Sequence, residues 1–159
     1  MATRNDGGHV HPQSTAKIGG HPIHPMIVPF PIVCFIGALV TDIVFLKYAG
    51  DGTHGWAVAG RILLLVGLIM AALAAVTGLT DFLGEKRIQG SDAVKHMLAN
   101  VSAVVIELVN LILRWHNDAA IGKIGVYLSA LVVLILLYSG WKGGDLVYRH
   151  GMGVHDRAD

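Results

Sequence analysis

Four stretches of this chain, about 26–48, 56–83, 93–115 and 120–150, are each long and apolar enough to cross the hydrocarbon core of a bilayer. Hydrocarbon offers the backbone no hydrogen-bonding partner, so a spanning segment needs about 20 mostly apolar residues in a helix that satisfies its own N–H and C=O groups. The connections between the stretches are short and polar or glycine-containing, which predicts one all-α domain, an integral membrane four-helix bundle running up-down-up-down. Composition agrees, since 53% of the residues are hydrophobic and 14% charged, more apolar than a water-soluble domain of this length requires. The expected organisation is a flexible cytoplasmic N-terminal tail over 1–19, the four-helix domain over 20–150 and a C-terminal tail over 151–159. The first 25 residues carry Gly7, Gly8, Gly19 and Gly20 but no apolar h-region, so the first helix is expected to act as its own insertion signal.

Several function classes fall away. A net charge of +1 leaves no basic stripe for nucleic acid. The single cysteine, Cys34, lies in an apolar stretch and reads as a small core residue, with no disulfide or cysteine-based zinc site available within one chain. The sequence contains no Ser-His-Asp order, P-loop, dinucleotide fingerprint or HExxH, which argues against a soluble-type enzyme. Cations sort eight to four between the two ends of the bundle. Arg4, Lys17, Lys86, Arg87, Lys95, Lys142, Arg149 and Arg157 share the end of the two termini, and Lys47, Arg61, Arg114 and Lys123 the other. The positive-inside rule then predicts that both termini lie in the cytoplasm. Trp56, Trp115, Trp141, Tyr48 and Tyr148 near the span ends fit interfacial aromatic belts.

Ionisable side chains are costly inside a membrane and normally face the bundle interior, so each is a default functional hypothesis. The third span carries His96, Asn100, Ala103, Glu107, Asn110 and Arg114 in steps of three and four, which places them along one helical face. Asp42 and Arg61 lie at similar depth across the first hairpin and are expected to pair, with Glu107 close enough to join them. Such a network either fixes helix register or carries protons or ions. Small residues on the second span (Ala71, Ala75, Gly78) and the fourth (Gly140, Gly143, Gly144) allow close helix approach.

Nine histidines are many for 159 residues. On the expected topology His21, His24, His96 and His150 come to the cytoplasmic edge, with Asp81, Lys86 and Arg87 completing a ring. Proline after each of the first two histidines stiffens the entry to the first helix. Imidazole is the commonest protein ligand for transition metals, and two histidines from different helices can also hold a haem axially. Candidate ligands are therefore His21, His24, His96, His150 and Asp81, with Lys86, Arg87 or Arg149 available to haem propionates. Interfacial histidines that merely cap helices would give the same pattern. Covalent c-type attachment is excluded, because no CxxCH occurs. His9, His11 and His155 belong to the tails, and His54 and His116 to the opposite end.

The run Gly20-His21-Pro22-Ile23-His24-Pro25-Met26-Ile27-Val28-Pro29-Phe30-Pro31, then Gly78-Leu79-Thr80-Asp81-Phe82-Leu83, His96-Met97-Leu98-Ala99-Asn100, and Ser139 to Gly151 with its Gly143-Gly144-Asp145-Leu146-Val147-Tyr148-Arg149-His150-Gly151 ending, resemble the bacterial DUF2231 membrane domain over about residues 17–154. The resemblance implies a four-helix inner-membrane protein. Some relatives carry this domain fused to a Rieske iron-sulfur domain, which points to electron transfer, here with a separate redox protein. The leading expectation is a redox module holding a b-type haem or a transition-metal ion through His96 with His21, His24 or His150. The alternatives are a proton or ion conduit along His96, Asn100, Glu107 and Asn110 with Asp42 and Arg61, and a structural subunit in a homo-oligomer or larger membrane complex.

Overall fold

The computed structural model describes residues 11–48 and 52–154. Residues 1–10, 49–51 and 155–159, and with them His9 and His155, lie outside the described residues. A short helix α1 (Ile23–Ile27) leads into α2 (Pro29–Lys47), and together they make the first span; α3 (Thr53–Gly84), α4 (Ser91–Arg114) and α5 (Val126–Tyr148) make the others. All four are long and apolar enough to cross a membrane. A 3₁₀ turn, Lys86–Ile88, joins α3 to α4, and a π-helical turn, Ile121–Gly125, opens α5. Large apolar side chains such as Val40, Ile62, Leu65, Ile112 and Leu134 point outward, the reverse of a water-soluble fold and the surface lipid requires.

The core is narrow and built on small residues. Phe35, Ala38, Leu64, Ala71, Ala103, Leu111 and Val132 form its apolar centre. Gly67 admits the Phe35 ring so closely that a Cβ there would stand 2.6 Å from it. The chain pairs α2 with α3 and α4 with α5 as two hairpins, and these meet through α2 on α5 and α3 on α4.

Two expectations change at the histidine end. The first helix begins at Ile23 rather than Met26, because Pro22 sits at its N-cap, where its missing N–H costs nothing. His24 is thereby inside the helix. Before it, Lys17–Ile18 and His21–Pro22 pair as a minimal hairpin over Gly19 and Gly20, whose φ of 56° and 83° suit glycine. The expected tail is also held over its last residues. Ser14 Oγ and the backbone N–H groups of Thr15 and Ala16 all donate to Asp81 Oδ1 at 2.8 Å, and Gln13 N–H donates to Glu85 Oε2 at 3.2 Å.

Candidate functional site

Of the four edge histidines, two meet. The rings of His24 and His96 have centres 6.4 Å apart with planes at 86°. Both are half-buried, and both are fixed in the same way. His24 Nδ1 lies 2.8 Å from the Ala74 carbonyl on α3, and His96 Nδ1 lies 2.9 Å from the Ser139 carbonyl on α5. A carbonyl can only accept, so each Nδ1 carries a proton, which in the neutral imidazole leaves the lone pair on Nε2. Four residues beyond each carbonyl stands a glycine against the ring. A Cβ on Gly78 would lie 2.8 Å from His24 Cε1, and one on Gly143 would lie 3.1 Å from His96 Cε1. With the Nδ1–Cε1 edge of each ring seated on its own hairpin, the opposite edge is turned away from that hairpin. Asn100 Nδ2 donates to His96 Nε2 at 3.2 Å, while also bonding the His96 carbonyl at 2.9 Å.

The other residues expected at this edge are engaged elsewhere. His21 is exposed, its Nδ1 3.1 Å from the Gly19 carbonyl within the hairpin. His150 is exposed and bonds Asp92 at 3.2 Å. Asp81 is the anchor of the N-terminal segment. Arg87 bonds Glu85 at 2.7 Å and the His11 carbonyl at 3.2 Å, and Lys86 is exposed on the 3₁₀ turn. The Glu85 carboxyl is held down at about 2, chiefly by the Arg87 side chain, against the upward push of its burial. Among the described residues no three His, Cys, Asp or Glu side chains gather to hold a metal ion.

A second cluster lies at the opposite end. The expected Asp42–Arg61 pair is not formed; Asp42 instead takes Arg114 in a two-pronged bridge, Nη1 to Oδ1 at 2.6 Å and Nη2 to Oδ2 at 3.0 Å, with both side chains buried. The reason is rotational. Gly60, not Arg61, faces this pair, since a Cβ there would meet Thr41 Oγ1 at 2.9 Å and Asp42 Oδ1 at 3.5 Å. Arg61, about 100° further round the helix, bonds Asp118 and the Arg114 carbonyl. Asp118 also accepts from His54 Nδ1 at 2.9 Å. Burial would raise the Asp118 carboxyl, but the bonds from His54 and Arg61 outweigh it and hold it below its ordinary value. Ser129, which sequence reasoning passed over, donates to Asp42 Oδ2 at 2.8 Å and accepts from Asn110 Nδ2 at 3.0 Å. Asn110 also gives Nδ2 to Glu107 Oε2 at 2.8 Å and receives Arg114 Nη2 on Oδ1 at 2.6 Å.

The two clusters are related by an internal repeat. Asp42 stands eighteen residues after His24, and Arg114 the same number after His96; Gly60 precedes Gly78 by the interval at which Gly125 precedes Gly143. Buried positions follow suit, with Pro31, Phe35, Ala38 and Asp42 on α2 answering Ala103, Glu107, Asn110 and Arg114 on α4. The hairpins are thus pseudo-equivalent, and their equivalent residues pair across the bundle: histidine with histidine at one end, aspartate with arginine at the other. Eighteen helical residues span about 27 Å, close to the roughly 30 Å of a hydrocarbon core.

No curated protein matches the chain, and no solved structure does. A family model described as "Predicted membrane protein (DUF2231)" matches residues 20–156. The order of spans, the apolar outer surface and this match lead to one assignment: the chain belongs to the DUF2231 family of predicted membrane proteins.

Proposed function

We propose that this membrane protein is a redox module that holds one transition-metal ion between His24 and His96. The observation that carries the reading is the matched fixing of the two rings, with both Nδ1 protons spent on backbone carbonyls. That is the outer-shell arrangement which sets the tautomer of metal-binding histidine and raises the basicity of the other nitrogen. The spacing supports it. An ion bonded to both Nε2 atoms at about 2.0–2.1 Å, with each ring centre roughly 1.1 Å further back, would hold the centres about 6 Å apart.

Two neutral imidazoles with no third protein ligand suit an ion of low coordination number, and copper stands highest in affinity among first-row ions at nitrogen sites. Bound there, the ion would supply one-electron chemistry. The chain would position it, and a lone pair now shared with Asn100 would have to be released. A haem fits these residues less well, because its macrocycle needs a slot between the hairpins and its propionates need cations. Of the three cations expected to meet them, Arg87 and Arg149 are already bonded to Glu85 and Asp145, which leaves Lys86. Electrons would be exchanged with a separate redox protein of the Rieske class; the family suggests a bacterial inner membrane, and the cation distribution favours a cytoplasmic histidine end.

Elemental analysis and an absorption spectrum of detergent-purified protein test the proposal. The expected result is about one metal ion per chain, lost in His24→Ala and in His96→Ala and retained in His21→Ala and His150→Ala. No stoichiometric metal in the parent protein would overturn it, and a Soret band would replace the bare ion with haem.

A conduit along the whole third-span seam is not favoured. Between Asn100 and Glu107 that face carries Ala103, which packs into an apolar layer with Phe35, Leu64 and Val132.

A further inference from the structure

Among the described residues, Glu107 Oε1 is the buried side-chain oxygen left without any hydrogen-bond partner. Glu107 is 0% exposed, and its other oxygen receives a single bond, from Asn110. Its charged neighbours cannot help. Arg114, on its own helix, commits both Nη atoms to Asp42, and its Nε and Nη2 also bond Asn110 Oδ1. Asp42 on α2 already balances that charge. From α5 comes the Ser129 hydroxyl, spent on Asp42. On α3, Gly60 faces the cluster and Arg61 is turned to Asp118.

Asp42 and Arg114 are therefore neutral as a pair, and an ionised Glu107 would leave one uncompensated negative charge in a span, with one oxygen bare. Buried charge without a partner is among the costliest arrangements a protein can hold, and more so in a membrane.

We propose that Glu107 is a proton-binding site within the membrane, neutral at rest and exchanging its proton with the His54 end of the bundle only. The direction follows from what lies on either side. At the depth of Glu107 stand the Phe35 ring and Val132, and beyond them toward the histidine pair the buried positions are Pro31, Ala71 and Ala103, with no polar side chain. Toward the other end a continuous series of polar groups leads outward: Asn110, the Asp42–Arg114 bridge, the Arg114 carbonyl bonded by Arg61, then Asp118 and the exposed His54. On discharge the O–H bond of Glu107 breaks, water entering from that end takes the proton, and the carboxylate remains beside Arg114. The site does not depend on metal at His24 and His96.

Infrared spectroscopy of the full chain in lipid vesicles tests the inference. At neutral pH the parent protein should show the carbonyl band of a protonated carboxyl that Glu107→Gln lacks. Transfer to heavy water should shift that band, and the shift should slow several-fold in Asp118→Asn but not in His24→Ala. Should the glutamine variant fail to assemble, Glu107→Asp serves, moving the band rather than removing it. A difference confined to carboxylate bands would overturn the protonated state. Exchange slowed by His24→Ala and indifferent to Asp118→Asn would overturn the route.

Discussion

Replacing Arg114 with alanine would strand Asp42 as a buried charge whose remaining side-chain donor among the described residues is the Ser129 hydroxyl. Removing one partner of a buried pair commonly costs about 3–5 kcal/mol, so Arg114→Ala should lower the unfolding temperature in detergent sharply. Arg61→Ala should cost far less, because its partner Asp118 is partly exposed. The contrast measures which arginine holds the bundle. Gly78 gives a second residue-scale prediction. A methyl group there would meet the His24 ring at 2.8 Å, and overpacking of this kind costs about 1–3 kcal/mol. Gly78→Ala should therefore destabilise the fold and displace the imidazole, while Gly90→Ala, with nothing within 4 Å, should avoid any such clash. The third-span seam was legible residue by residue, because steps of three and four put side chains on one helical face whatever the partner helix does. The Asp42 partner was not. Depth can be counted along a hairpin, but rotation about the second helix depends on where the close contact falls, and here a glycine takes that place.

At the scale of elements, the four spans were plain, since apolar length alone sets them. The histidine end was only half legible. Whether His24 lies before or within the first helix turned on Pro22, and whether the N-terminal residues are loose turned on Asp81 and Glu85, whose partners are distant in sequence. Glu85 carries a pH prediction. Its carboxyl falls from 4.5 to about 2 on folding, so its contribution is fully present above about 4.5 and is lost as pH falls toward about 2. Thermal unfolding followed across that window should show a decline in the parent protein that Glu85→Gln flattens. The N-terminal segment should loosen with it, detectable as faster amide exchange at Gln13.

For the whole molecule, the governing relation is the equivalence of the two hairpins. Few identical residues announce it, chiefly the paired histidines and glycines, and its two halves run in the same direction rather than as an inverted repeat. Because Asp42 and Arg114 occupy equivalent places, exchanging them should be tolerated better than either change alone. Asp42→Arg and Arg114→Asp should each destabilise the bundle, and the double variant should recover much of the loss. Recovery should be incomplete, since the counterparts of the polar Asn110 and Ser129 in the first hairpin are the apolar Ala38 and Leu64. A cycle of unfolding temperatures for the four proteins reads the coupling.

The contacts between the first and last described residues extend this equivalence. Gly153 N–H donates to the Pro12 carbonyl at 2.9 Å, and Gln13 Nε2 to the Val154 carbonyl at 2.9 Å, so residue 154 already lies beside residue 12. A circular permutant that begins near Ser91, joins residue 154 to residue 12 through a few added residues and finishes at the 3₁₀ turn would insert the second hairpin before the first. It would reach the same bundle by the reverse order of synthesis, since neither hairpin has a privileged place in the assembly.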